Sequence, residues 1–211
     1  MTTSARRIFA ALSIAVIAAS LAVMHVAPTA AQGPAATKTF ASEEYRYTVA
    51  LPAGCRHEEG PGTVDAVCAS DLDPERSAQI SIATALVLEV GAEIVAADAG
   101  KTASELAQRY DEAAFRQELP EAICGESDKA RVRIDNVKQM LESARVVYTA
   151  DVTCSEVRFL QIGERRAAVR YLIAPDTRYR LVARAPKEDF EKQKQAIESF
   201  FESFRVLPAR T

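Results

Sequence analysis

Alternating apolar and polar positions predict that most of the chain folds as β-strands. The segment 40–51 alternates in this way and is predicted to be the first strand, ended by Pro52. A short second strand is predicted over 64–69, and a longer one over 79–89, where isoleucine and leucine recur on one face. The stretch 91–100 consists mostly of small residues without a period, which predicts an irregular connection.

The alternation returns in the second half of the chain. It covers the segments 131–135, 145–154, 157–162, 167–173 and 179–183. The last two segments flank the turn residues Pro175 and Asp176 and are predicted to pair as a hairpin. Placing Tyr171 opposite Leu181 keeps the apolar residues of both strands on one face, and this register requires an odd number of loop residues.

Two segments have the period of an amphipathic helix. The first begins at Thr102, which forms a capping box with Glu105, and is predicted to end at Leu119 because Pro120 follows. The second begins at Pro186 and carries an apolar stripe that is typical of a core-facing helix. The stripe consists of Phe190, Gln193, Ile197, Phe201 and Phe204, widened by Phe200.

The order of these elements is strands, helix, strands, helix. Runs of strands joined by short turns favour a mostly antiparallel sheet, and the two main helices are predicted to pack on it. The predicted fold class is therefore an α+β sandwich, formed by a single domain over 40–208 that follows a flexible tail at 32–39.

Residues 1–31 have the layout of a secretory signal peptide. Arg6 and Arg7 precede an uncharged run over 8–27, and small residues lead to a predicted cleavage after Ala31. We expect the mature protein to be periplasmic or secreted, without a membrane span once the leader is removed. An uncleaved anchor is an alternative, because the run of 20 residues is long enough to cross a bilayer. The arginine pair also leaves twin-arginine export open beside the general secretory route.

Composition narrows the class of partner. Removal of residues 1–31 from the 211-residue chain would leave 180 residues and a net charge near −5. This length is sufficient for one proper core. A mildly acidic protein is a poor candidate for binding nucleic acid, which favours clustered positive charge.

Four cysteines, Cys55, Cys68, Cys124 and Cys154, follow the predicted leader. In an oxidising compartment an even number of cysteines favours disulfides, with three connectivities open. Pairing of Cys55 with Cys68 is favoured because a strong turn signal at 59–62 lies between them, which leaves Cys124 to pair with Cys154. The chain has no CxxC pair, which argues against a zinc or thioredoxin-like site.

The two ends of the predicted domain resemble PsbP-like, Mog-type domains. The resemblance rests on Phe40 with the run YTVALPAG over 47–54, and on the runs YRLVA over 179–183, EDF over 188–190 and SFR over 203–205. It implies an antiparallel sheet sandwiched by helices. It also implies a small exported protein that acts as a binding or assembly partner, not as an enzyme.

No motif for a common catalytic site is present in the sequence. It has no nucleophile elbow, zinc-protease motif, phosphate-binding loop or dinucleotide fingerprint. His57 is the only histidine after the predicted leader, and we interpret it as an exposed loop residue beside Glu58 and Glu59. We therefore predict no enzymatic activity, no catalytic residue, no bound metal and no cofactor.

Arginine is the most informative residue type in the strands. With the odd loop, one face of the sheet would carry Arg166, Arg170, Arg178, Arg180 and Arg184. Such a basic face predicts a site for an anionic partner, such as an envelope protein or another anionic envelope component. The alternative is a solvated face whose arginines form cross-strand ion pairs.

Taken together, the patterns predict an exported, non-enzymatic binding or protein-interaction module. The alternative is a carrier of a small ligand or lipid, which would use a groove between sheet and helix.

Overall fold

A computed structural model describes residues 36–124, 131–142, 144–158 and 161–208, so the predicted leader lies outside the described residues. The described strands are β1 (Thr37–Ser42), β2 (Tyr47–Pro52), β3 (Arg56–Gly60), β4 (Thr63–Cys68), β5 (Leu86–Ile94), β6 (Arg131–Glu142), β7 (Arg145–Arg158), β8 (Gln161–Ile173), β9 (Thr177–Pro186) and β10 (Arg205–Val206). The described α-helices are α1 (Pro74–Gln79), α2 (Ala103–Arg109), α3 (Glu112–Cys124), α4 (Lys187–Lys192) and α5 (Lys194–Ser203).

The strands form two sheets. The larger has seven strands in the order β3-β4-β5-β9-β8-β7-β6, and the smaller has three in the order β1-β2-β10. Within each sheet, all neighbouring strands pair in the antiparallel direction. The predicted α+β class with a mostly antiparallel sheet is confirmed.

One face of the large sheet, termed the α3 face, is covered by α2 and α3. Leu106, Phe115, Leu119 and Ile123 from these helices are buried against the apolar side chains of β7 and β8. The ring of Phe115 stacks on Tyr148 with 4.9 Å between ring centroids. The residues of this cluster account for most of the apolar surface that is buried on the α3 face.

The opposite face, termed the α5 face, is covered by the small sheet and by α5. Phe200 and Phe204 are buried together with Tyr47 and Leu181 in a second core. Ser203 ties α5 to β2, because its hydroxyl accepts a hydrogen bond from the Ala50 amide at 3.0 Å. The predicted core character of the last helix therefore holds: Ile197 and Phe200 are buried, whereas Phe201 is only half buried.

Both predicted disulfides are confirmed. Cys55 is bonded to Cys68, which closes the β3–β4 hairpin. Cys124 at the end of α3 is bonded to Cys154 on β7, which ties the helix to the sheet.

The predicted register of the β8–β9 hairpin is wrong by one residue. Arg170 lies opposite Leu181, and Tyr171 lies opposite Arg180. Four residues separate the paired Ile173 from Arg178, closed by a hydrogen bond from the Ala174 amide to the Thr177 carbonyl. An even loop reverses the parity between the two strands, so Tyr171 and Leu181 lie on opposite faces.

Two predicted strands are also wrong. The segment 40–51 is a hairpin of β1 and β2, because a turn with Arg46 in the left-handed region reverses the chain. The segment 157–162 likewise lies at a reversal, since Val157 on β7 pairs with Ile162 on β8, and residues 159–160 lie outside the described residues.

The predicted strand over 79–89 contains the end of a helix that the alternation concealed. Asp73 accepts a hydrogen bond from the Arg76 amide at 3.0 Å and starts α1, with Pro74 in its first turn. The regular strand begins only at Leu86 and ends at Ile94, so it takes up the first four residues of the stretch predicted to be irregular.

The predicted helices differ in their ends. The capping box of Thr102 and Glu105 is present, but α2 ends at Arg109, and Asp111 precedes a new helix. Pro120 lies inside α3 and does not end it. Proline has no backbone N–H, so α3 lacks one hydrogen bond at Pro120. Burial of Ile123 and the disulfide from Cys124 to β7 stabilise the last turn of the helix despite this loss. The final helix is interrupted at Gln193, which separates α4 from α5.

Candidate functional site: a groove beside helix α5

The α5 face is only partly covered, and its open part forms a groove. Two hollows of about 430 Å³ each lie on β6, β7 and β8 beside the C-terminal turn of α5. Both are lined by Arg170 and Phe201, so they adjoin. This pair of hollows is termed the α5 groove. Each has a volume within the range of small-ligand sites.

Two cross-strand rows form the floor of the groove. One row is Lys138 on β6, Thr149 on β7 and Arg170 on β8. The neighbouring row is Met140, Val147 and Leu172 on the same three strands. Because residues two apart on a strand share a face, a cationic row lies directly beside an apolar row.

Arg170 lies where the two hollows meet. Its guanidinium is 5.2 Å from the ring centroid of Phe201 and donates a hydrogen bond to the Phe201 carbonyl at 3.1 Å. Burial lowers the pKa of Arg170 below its usual range. Its Nε is buried without a hydrogen-bond partner among the described residues. A partly desolvated guanidinium with unused donors is suited to binding an anion.

A bulge in β6 brings Lys138 to this face. The register of β6 against β7 shifts between Asp135 and Lys138, and Asn136 has φ of 53°. Asparagine tolerates this left-handed conformation, and its side chain donates to Asp151 at 2.6 Å. Without the extra residue the parity would place Lys138 on the α3 face.

Acidic groups lie at the two ends of the groove, and Glu202 lines it beside Phe201. Asp135 and Asp151 face each other across β6 and β7 in the row next to Lys138. Glu142 beyond the apolar row forms an ion pair with Arg145 at 2.5 Å. Lys138 has no ion pair within the described part of the chain, which leaves the middle of the groove cationic.

The five predicted arginines do not share a face. Arg166 and Arg170 lie on the α5 face, and Arg166 pairs with Glu191 over the ring of Phe190. The other three arginines lie on the α3 face because of the corrected register. Their anion-binding role as one set is therefore not supported by the geometry, and only Arg170 lines the groove.

The three arginines of the α3 face are paired with carboxylates. Arg178 contacts Glu93 at 2.8 Å and Glu118 at 3.3 Å. Arg180 contacts Glu89 at 2.6 Å, and Arg184 approaches the same carboxylate at 3.6 Å. These pairs match the cross-strand alternative for the arginine-rich strands.

A second acid completes this charge cluster. Asp65 on β4 lies directly opposite Glu89 on β5. Burial, followed by the nearby Glu89 carboxylate, raises the pKa of Asp65 to about 6. One Asp65 oxygen is buried without a hydrogen-bond partner among the described residues. The cluster therefore contains like charges as well as pairs.

His57 lies in β3, not in a loop, and it is half buried. Its Nε2 is 3.0 Å from the Pro52 carbonyl, and its ring centroid is 5.1 Å from that of Phe40. Burial lowers the pKa of His57 below its ordinary value. Within the described ranges, no cluster of three or more histidine, cysteine or acidic side chains is arranged to hold a metal ion.

Sequence reasoning found Arg170 but not the other groove residues. Phe201 was placed in the core by its helical spacing, whereas it forms the wall of the groove. No pattern in the sequence marked Lys138 as a groove residue. Only the Asp135–Asn136 pair, whose residue types tolerate a left-handed bulge, could have indicated the register shift in β6.

The comparison with solved structures concerns the fold. The chain is similar to the cyanobacterial PsbP protein CyanoP from Synechocystis sp. PCC 6803, with a TM-score of 0.51, 16% identity, and coverage of 83% of this chain and 95% of that one. A protein from Bacteroides thetaiotaomicron VPI-5482 gives a TM-score of 0.43 at 14% identity over 81% of this chain and 48% of that one. A protein of unknown function from Pseudomonas aeruginosa gives a TM-score of 0.43 at 8% identity over 83% of this chain and 99% of that one.

No protein-family model matches the chain, and no curated protein matches it significantly in sequence. Among the helices that the structure describes, none is long and apolar enough to cross a membrane. The similarity to CyanoP confirms the resemblance inferred from the two ends of the domain, at the level of the fold. This chain thus has a PsbP-like fold.

Proposed function

We propose that this chain is an exported, non-enzymatic binding module that holds an anionic part of an envelope partner in the α5 groove. The observation that carries the proposal is Arg170, a partly buried guanidinium at the junction of two hollows. It has a ring beneath it and no ion pair in the described structure. Cations left in this state favour charge-assisted contacts with a partner.

Export is supported by the leader-like sequence over 1–31 and by the two disulfides. The test is N-terminal sequencing of the protein recovered from a native envelope fraction. We expect the mature chain to begin at Gln32. Recovery of the full-length chain in the cytosol with reduced cysteines would contradict export.

The binding role is tested by crosslinking pull-down from native envelopes. The test variant combines Lys138→Glu with Arg170→Gln, which removes the two cations of the cationic row without adding bulk. We expect the captured partner to be lost. The matched control is Arg131→Glu, which makes the same charge change as Lys138→Glu on the same strand and face but outside the groove lining.

Equal capture by the wild type, the double variant and the control would reject the groove as the binding surface. Thermal unfolding of each variant accompanies the pull-down, so that loss of capture is scored only for folded protein.

A small-ligand carrier is the second candidate. The observation that favours it is the placement of the groove between the sheet and α5, with Phe201 as one wall. A carrier should co-purify with its ligand, so native mass spectrometry of the exported protein distinguishes the two. A bound small molecule favours the carrier, and an empty chain that captures an envelope protein favours the interaction module.

A further inference from the structure

We infer that the ligand of the α5 groove is an anionic amphiphile, with one carboxylate or phosphate headgroup and a single alkyl chain. The inference rests on the binding role of the groove and deepens the second candidate function, the carrier, by naming the chemistry that the groove recognises. It follows from the two rows of the floor, which offer different chemistry side by side.

The cationic row suits the headgroup. Neighbouring strands are about 4.8 Å apart, so Lys138 and Arg170 flank Thr149 with about 10 Å between their backbones. Side chains of this length converge on one anionic group, and the Thr149 hydroxyl adds a donor between them. The planar fork of a guanidinium fits carboxylate and phosphate oxygens.

The row that contains Asp135 and Asp151, termed the acidic row, sets the direction in which the ligand extends from its headgroup. Asp135 and Asp151 lie on the side of the cationic row away from Met140 and Leu172. An anionic headgroup is repelled from that side, so the rest of the molecule extends over the apolar row. The two hollows meet at Arg170 and therefore provide a continuous path in this direction.

The apolar row and the helix suit the alkyl chain. Met140 is 45% exposed, and Val147 and Leu172 beside it in the row are buried in the core of the α5 face. Phe201 and Phe204 of the α5 end line the same hollow. Methionine adapts to ligands of irregular shape, and the aromatic walls add apolar area. Leu141 at 62% exposure continues the apolar surface on the edge strand.

The inference is tested by isothermal titration calorimetry of the mature protein with dodecanoate and with dodecyl phosphate, each below its micelle concentration. We expect both to bind, and Lys138→Glu to weaken each by about tenfold or more. Arg131→Glu should leave both affinities unchanged. Met140→Ser should weaken binding while the protein remains folded, because it removes exposed apolar contact only.

The probe controls separate the parts of the ligand. Dodecyl maltoside carries the same alkyl chain without a charge, and acetate and inorganic phosphate carry the charge without a chain. We expect none of the three to bind measurably. Dodecyl maltoside binding as tightly as dodecanoate would overturn the headgroup role, and inorganic phosphate binding as tightly as dodecyl phosphate would overturn the role of the apolar row.

Two further outcomes distinguish this inference from the proposed function. Binding to vesicles of anionic phospholipid, with none to the monomeric probes, would replace the single-molecule site by a membrane surface and overturn the inference. Absence of all amphiphile binding, while the Lys138→Glu and Arg170→Gln double variant still loses its envelope partner, would overturn the inference and leave the binding module intact.

Discussion

Arg170 on the α5 face differs from the arginines of the α3 face in the groups that lie opposite it. On the α3 face, Arg178 and Arg180 meet carboxylates at 2.8 Å and 2.6 Å. On the α5 face, Arg170 meets the ring and the backbone carbonyl of Phe201. Both kinds of arginine come from neighbouring strands with similar sequence patterns. The layer that covers each face, not the arginine itself, decides whether the charge is satisfied internally or remains for a ligand.

The two faces also differ in how completely they are covered. The α3 face is closed over β7 and β8 by α2 and α3, and Cys124 ties α3 to the sheet. On the α5 face the covering layer leaves Lys138 and Met140 of the groove floor exposed. Both faces carry a buried core, so stability should depend on both, whereas binding should depend on the open part of the α5 face.

The largest expected effect compares an aromatic ring from each region. Phe115→Ala removes a buried ring that contacts Tyr148 and Tyr171, and we expect a loss of about 3–5 kcal/mol in the free energy of unfolding. Phe201→Ala removes a half-buried groove wall and should cost about 1 kcal/mol. Urea denaturation measures both losses. Equal losses would contradict the division of roles between the faces.

The next effect compares matched arginine substitutions. Arg180→Gln leaves Glu89, whose side chain is 13% exposed, without its nearest cation. We expect a loss of about 2 kcal/mol, moderated by Arg184 and by the partial exposure of Arg180. Arg170→Gln breaks no ion pair in the described structure and should cost less than about 1 kcal/mol. A larger loss at Arg170 would show that this arginine is primarily structural.

A smaller effect tests the charge cluster of the α3 face through pH. The folded-state pKa of Asp65, about 6, lies above its ordinary value of 3.8, so the folded state binds the proton more tightly than the unfolded state. Stability from this group is present below pH 4 and is lost as pH rises towards 6. Asp65→Asn should therefore raise the free energy of unfolding by about 1 kcal/mol at pH 7, and by almost nothing at pH 4.

The control for this measurement is Asp71→Asn, at an exposed acid outside the cluster whose pKa is lowered by its hydrogen bonds. Denaturation at pH 4 and pH 7 compares the three proteins. A pH-independent effect of Asp65→Asn would show that the two arginines Arg180 and Arg184 balance the Asp65 charge fully.

The smallest expected effect on stability is that of Lys138→Glu in the groove. Lys138→Glu should change the free energy of unfolding by less than about 0.5 kcal/mol, because Lys138 is exposed and lacks an ion pair in the described ranges. Thermal unfolding beside the wild type measures it. A loss above about 1 kcal/mol would assign Lys138 a structural role and weaken the comparison between the faces.

Much of the fold was predictable because local signals agreed with the final structure. Thr102 and Glu105 marked the start of α2, and the turn between Cys55 and Cys68 indicated their pairing. Alternation predicted the strands over 145–154, 167–173 and 179–183, which lie in β7, β8 and β9. These features depend on residues close in sequence, so a pattern within a few residues contains the information that sets them.

The features missed by the pattern depend on contacts distant in sequence. Pro120 predicted the end of a helix, but burial of Ile123 and the bond of Cys124 to β7 carry α3 past it. Asn136 makes a bulge whose effect, the transfer of Lys138 to the α5 face, is visible only against β7. The sequence therefore predicted one residue of the candidate site, Arg170, but not the groove that this residue lines.

The sequence by itself determined the fold class, the start of α2, which cysteines bond and which residues carry the charge. Only the tertiary structure decided which face each charge occupies. The reason is that successive residues of a strand point to opposite faces of the sheet. A change of one residue in the length of the β8–β9 loop therefore decides whether Arg180 lies on the α5 face or beside the carboxylates of the α3 face. Alternation is the same in either register, and the choice between them is made by the layers that pack on the sheet.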